Sequence, residues 1–116
     1  MKCVLVSITI IILLTCQVAQ PSADAVLTTW SQVFNESSNM YGPVEIHYRI
    51  ENTGGTNIDS YTIYAEVTCD DGSKFDGSTF GYDLPAGESK TDFFYIDTDG
   101  KKATDVKITN CEVKKW

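Results

Sequence analysis

His47 is the one histidine of the chain, and it sits between Glu45 and Arg49 in the run Val44-Glu45-Ile46-His47-Tyr48-Arg49-Ile50-Glu51. An imidazole beside a carboxylate can do acid–base work near neutral pH. No nucleophile elbow and no second paired base accompany it, so a solvent-facing strand histidine is the preferred reading. A small hydrolase built on His47 is the weakest of three functional hypotheses. Asp97-Thr98-Asp99-Gly100, with Asp105 further on, offers carboxylates in the manner of a calcium loop. An EF-hand needs another oxygen ligand before its glycine and a glutamate at the twelfth position. Lys101 and Lys102 instead bring positive charge, which favours a polar turn. Asp70 and Asp71 with Asp76 could attract the same ion, but Asp-Gly in a hairpin already explains them. These residues therefore predict no catalytic group, no metal and no cofactor.

Two other groups carry chemistry of a different kind. Asn35-Glu36-Ser37 is an N-glycosylation sequon, with Asn35 as the acceptor. Cys69 and Cys111 are the two cysteines outside the amino-terminal segment, and neither sits in a C-x-x-C motif or beside a histidine. In an exported protein they predict one structural disulfide. In the chain-entropy picture, closing that loop stabilises the fold by about 4 kcal/mol.

Export is predicted by the start of the chain. Lys2 and the free amino terminus precede Val4 to Leu14, which is apolar except for Ser7 and Thr9. Ala23-Asp24-Ala25 then supplies an A-x-A cleavage element. Residues 1–25 therefore read as a secretory signal peptide, cleaved before Val26, with one domain over 26–116. A permanent membrane anchor is the rival, but as a helix the apolar run rises only about 20 Å against a hydrocarbon core of about 30 Å. A lipid anchor on Cys16 is a smaller alternative, since Leu13-Leu14-Thr15-Cys16 loosely resembles a bacterial lipobox. The location expected is secreted, periplasmic or cell surface.

Composition narrows the partners. The 116 residues hold 9 basic and 16 acidic side chains, a formal charge of −7. Removing Lys2 and Asp24 with the signal leaves that balance unchanged. Nucleic-acid binding needs concentrated Lys and Arg and is excluded. The 42% hydrophobic content suits a globular domain. About 90 residues leave little room for a deep substrate cleft.

The elements that position these groups follow a period of two. Val44, Ile46, Tyr48 and Ile50 share one face; Glu45, His47, Arg49 and Glu51 share the other. Such alternation marks a half-buried strand. Asn52-Thr53-Gly54-Gly55 breaks it, and a second strand places Tyr61, Ile63, Ala65, Val67 and Cys69 inward. Asp70-Asp71-Gly72-Ser73 predicts a hairpin. Val26 to Phe34 forms a first strand, Lys74 to Tyr82 short edge pieces broken at Gly77 and Gly81, Thr91 to Ile96 a further strand, and Thr104 to Val113 the last. In that last strand Val106 and Ile108 share a parity that Cys111 and Val113 do not, which predicts a bulge near Thr109 or Asn110. The fold class expected is all-β, an antiparallel sandwich of about seven strands.

The alternating strand ending in Ile50-Glu51-Asn52-Thr53-Gly54-Gly55, the Tyr61–Cys69 strand, and Leu84-Pro85-Ala86-Gly87-Glu88-Ser89 leading into Thr91–Ile96 resemble small bacterial and archaeal immunoglobulin-like domains of the CARDB and FxLYD kinds. In those families the two turns mark two sandwich corners. The resemblance covers Val44 to Ile96, and implies an extracellular accessory, adhesion or surface-interaction module without catalysis. The fold alone names no ligand. The aromatic residues supply the most credible contact surface: Tyr64, and either Phe94 or its neighbours Phe93 and Tyr95, must point outward. Trp30 and Trp116 are expected to cover the ends. The first functional hypothesis is thus a secreted module binding an extracellular protein or glycan. The second is a structural subunit that self-associates by strand addition into a surface fibre.

Overall fold

The computed structural model describes residues 21–116; the predicted signal core at 4–14 and Cys16 lie outside the described residues. Six strands follow one another: β1 (Ala23–Asn35), β2 (Met40–Asn52), β3 (Ile58–Cys69), β4 (Lys74–Leu84), β5 (Ser89–Ile96) and β6 (Ala103–Lys114). They form two antiparallel three-stranded sheets, ordered β1-β2-β5 and β4-β3-β6. The chain makes a hairpin in the first sheet, crosses to make a hairpin in the second, then crosses twice more. Central strands β2 and β3 face each other across the core, with β1 near β6 and β4 near β5.

Alternation carries through to burial. Val44, Ile46, Tyr48 and Ile50 of β2 meet Tyr61, Ile63, Ala65, Val67 and Cys69 of β3, and all are buried. Each isoleucine taken out of water there contributes about 1.5–3 kcal/mol. Tyr48 packs edge-on against Phe94 of β5, with ring centroids 6.0 Å apart. Burial pushes its phenol well above the usual tyrosine range, so it stays neutral.

The expected bulge is present. Tyr64 pairs with Asn110 but Ala65 pairs with Ile108, which leaves Thr109 as the extra residue. The shift turns Val106, Ile108, Cys111 and Val113 all toward the core. A second bulge at Thr104 and one in β1 at Thr28 follow the same logic.

Two expectations are corrected. The described residues hold six strands rather than about seven, because Lys74 to Leu84 is continuous through both glycines. Gly77 and Gly81 face inward, not outward at breaks. A Cβ on Gly77 would lie 2.7 Å from Ile96 Cγ1, and one on Gly81 would fall on the Tyr61 ring. The glycines let bulky neighbours approach the backbone.

The expected Cys69–Cys111 disulfide is not formed; both thiols are free. The register gives the reason. Cys111 lies opposite Ile63 and Cys69 opposite Ala103, so six residues of β3 separate the two positions. At about 3.3 Å per residue that is roughly 20 Å, far beyond the Cα separation of about 7 Å that a disulfide bridges. Burial holds both thiols protonated, above the ordinary thiol range.

The whole of the predicted cleavage element lies in β1. Ala23, Asp24 and Ala25 pair with Asn52, Glu51 and Ile50, and Thr53 N donates to the Ser22 carbonyl at 3.0 Å.

Candidate binding surface

The polar face of β2 lies on the outside of its sheet. Glu45 stands between Ser31 of β1 and Tyr95 of β5, and His47 between Thr29 and Phe93. The ambiguity at the β5 aromatics resolves by register. Phe94 opposes Ile46 and is buried, whereas Phe93 and Tyr95 are 46% and 57% exposed.

Hydrogen bonds hold this group in place. His47 Nε2 lies 2.6 Å from Glu45 Oε2, and the Tyr95 hydroxyl donates to Glu45 Oε1 at 2.9 Å. These bonds, that from His47 foremost, hold the Glu45 carboxyl below its usual range, and the carboxylate in turn raises the Tyr95 phenol. The His47 ring stacks on Phe93 at 5.2 Å and 26°, and Phe93 meets Tyr95 edge-on at 5.8 Å. Thr28, brought outward by its bulge, joins His47, Thr91 and Phe93 around a shallow hollow. Arg49 and Glu51 pair at 3.5 Å further along the strand.

The arrangement presents two aromatic rings, an imidazole and an ionised carboxylate on one flat, open surface. It can stack against a planar or sugar ring and exchange hydrogen bonds. Each oxygen of the Glu45 carboxylate already has a partner, one in His47 and the other in Tyr95, so Glu45 acts as an anchor for its neighbours. Among the described residues no group of three or more His, Cys, Asp and Glu side chains could hold a metal ion.

The remaining predicted positions fall elsewhere. Asn35 ends β1 and is exposed; its Oδ1 accepts from the Ser37 and Ser38 backbone N–H groups at 3.0 and 3.4 Å. Asp70 to Ser73 makes the expected hairpin, with Gly72 at φ 87°. There Asp71 accepts from Ser73 N at 2.9 Å and pairs with Lys101 at 3.1 Å. Asp97 to Gly100 forms a turn whose Thr98 is fully buried. Tyr64 is half-buried, and the neighbouring Glu112 carboxylate raises its phenol. Trp30 covers part of the core, but Trp116 is 80% exposed, beside Tyr82 at 6.5 Å. Tyr82, Phe80 and Trp116 make a second exposed aromatic group, on the outer face of the other sheet.

Two side chains organise the fold in a way that no motif announces: Gln32 lies in none, and Asn52 reads in the sequence only as the start of a turn. Gln32 Nε2 donates to the Gly42 and Lys101 carbonyls, both at 2.9 Å, while Oε1 accepts from Ala103 N at 2.8 Å. It thereby ties β1 to the start of β6. Asn52 does the same between two turns. A polar residue at an inward strand parity, as both are, is the signal that could have found them.

No protein-family model matches the chain, and no curated protein matches it in sequence.

Proposed function

We propose that this chain is a non-enzymatic, immunoglobulin-like module of the CARDB or FxLYD kind that acts outside the cell and binds a protein or glycan on a surface. The contact is made by the outer face of the β1-β2-β5 sheet. The observation that carries this reading is the Glu45–His47–Phe93–Tyr95 group. Its rings are half exposed, yet stacking and two hydrogen bonds fix their orientation. Side chains ordered before contact lose little entropy on binding, and aromatic anchors supply most of the energy of a small interface. Each of the two inter-sheet turns that carry the family resemblance bonds to Asn52, as sandwich corners of one end would. Export follows from the amino-terminal pattern.

Binding of the fluorescently labelled chain to intact cells of its own source tests the reading. Phe93→Ala with Tyr95→Ala should weaken binding at least about tenfold, while Phe80→Ala with Tyr82→Ala leaves it unchanged. Loss after protease treatment of the cells identifies a protein partner; loss after periodate identifies a glycan. Equal binding by all three chains, or none by any, rejects the assignment of this face.

A further inference from the structure

Four strands lie at sheet edges: β1, β5, β4 and β6. An edge strand exposes unpaired N–H and C=O groups, and proteins guard such edges with charge, proline or bulges. β4 carries Lys74, Asp76 and Asp83; β5 carries Lys90 and Asp92; β6 carries Asp105, Lys107, Glu112 and Lys114 together with two bulges. β1 differs. From Ala25 to Asn35 it has no charged residue, no proline and no glycine, and it is rich in Val, Thr and aromatic side chains; its guards there are the bulge at Thr28 and a register irregularity beside Val33. It also bears Val26 and Val33, 50% and 74% exposed, on its outer face.

A second observation concerns the same side of the molecule. The hydrophobic residues that pack on the core but stay partly open are Ala23, Ala25, Leu27 and Trp30 of β1, Ile108, Cys111 and Val113 of β6, and Phe75. All but Phe75 line the side where β1 and β6 meet. The core is most open there.

We propose that β1 is a self-pairing edge: two copies of this chain align their β1 strands antiparallel about a two-fold axis at Trp30, joining two three-stranded sheets into one of six strands. The bulge at Thr28 is what makes this register self-consistent. Val26 and Val33 lie an odd number of residues apart, yet the extra residue turns both outward. Antiparallel pairing about Trp30 then sets Val26 of one copy beside Val33 of the other on one face. The same register seats Asp24, the strand's one charge, beside an Asn35 amide instead of a second Asp24. This matters in a chain of net charge −7, whose copies repel wherever acidic residues meet. An isologous pairing of this kind closes as a dimer and does not propagate as a fibre. The proposal stands independently of the ligand-binding face.

Light scattering on the full chain, from low micromolar concentration upward, should give twice the monomer mass. Val33→Lys places a guard charge at an exposed position that needs no repacking, and should halve that mass with an unchanged circular-dichroism spectrum. Phe80→Lys, on the outer face of the other sheet, should leave the dimer intact. In a background with Cys3, Cys16 and Cys111 replaced by serine, oxidising a mixture of Val26→Cys and Val33→Cys chains should yield covalent pairs of one chain of each kind. A wild-type chain that stays monomeric, an association that survives Val33→Lys, or an absence of mixed covalent pairs overturns the proposal.

Discussion

Asn52 and Leu84 are joined by a buried hydrogen bond of 2.9 Å, from the Asn52 amide to the Leu84 carbonyl, across 32 residues of sequence. The same amide donates to the Thr56 carbonyl at 2.9 Å, and its oxygen accepts from Gly54 N at 3.0 Å. Its backbone completes the set: Asn52 N donates to the Glu88 carbonyl and Gly87 N to the Asn52 carbonyl. One asparagine thus fastens the turn after β2 to the turn after β4, and with them two of the three passages between the sheets. Asn52→Ala leaves buried carbonyls without partners and should cost about 2–4 kcal/mol. Urea unfolding at neutral pH measures this, and a loss below half a kcal/mol would contradict the account.

The inward glycines of β4 make a steric prediction. Gly81→Ala drives a methyl group into the Tyr61 ring, and Gly77→Ala crowds Ile96. Each should destabilise by about 1–3 kcal/mol through overpacking, although alanine ordinarily suits a strand better than glycine. Thermal unfolding of the two variants distinguishes close approach from a mere break in the strand, for which the substitutions would be neutral or stabilising.

Asp71 gives the acid limb of stability a named contributor. Hydrogen bonds from Ser73 and the Lys101 ammonium lower its carboxyl from 3.8 to about 2 in the folded chain. A depressed folded value means stability that is complete above the unfolded value and fades as pH falls through the folded one. Wild type should lose this contribution between about pH 4 and pH 2. Asp71→Asn should show a flatter urea-midpoint profile over that window and lie below wild type at neutral pH.

Free thiols predict a redox-indifferent fold. Cys69 and Cys111 should both remain reduced in the native protein, and a reductant should not shift the melting temperature. A thiol reagent should modify Cys111, which is partly exposed, much faster than Cys69, which is buried. Mass spectrometry before and after denaturation reads both. An intact mass two hydrogens lighter than the reduced chain would contradict the register of β6.

The start of β1 bears on processing. A chain beginning at Val26 lacks the pairs of Ala23, Asp24 and Ala25 with β2, and the Ser22 bonds to Thr53. It should be less stable than one beginning at Pro21 by about 1–3 kcal/mol. Comparing the two by chemical unfolding gives the difference, and sequencing the amino terminus of the exported protein shows which is made.

Much of the architecture was legible because strand alternation is a local property. Val44 to Glu51 and Tyr61 to Cys69 sort themselves into inner and outer faces by parity alone, and the change of parity after Ile108 foretold the bulge at Thr109. The candidate face was half legible. Glu45 and His47 had to share a side, but whether Phe93 and Tyr95 or Phe94 joined them depended on how β5 aligned with β2. Gly77 and Gly81 read as breaks because glycine's local meaning is flexibility, while its meaning here lies in the Tyr61 and Ile96 side chains opposite.

By itself, the sequence determined an acidic, all-β chain with outward polar strand faces and turns at Asn52–Gly55, Asp70–Ser73 and Leu84–Ser89. Only the tertiary structure decided which strands are neighbours, and hence that Cys111 of β6 lies beside a point of β3 distant from Cys69, that Asn52 unites two turns, and that β1 is an edge without charge from Ala25 to Asn35. The physical reason is range. Side-chain parity is set within a few bonds, whereas pairing and register are settled by contacts between residues tens of positions apart, where shared burial in one core outweighs what any single segment prefers.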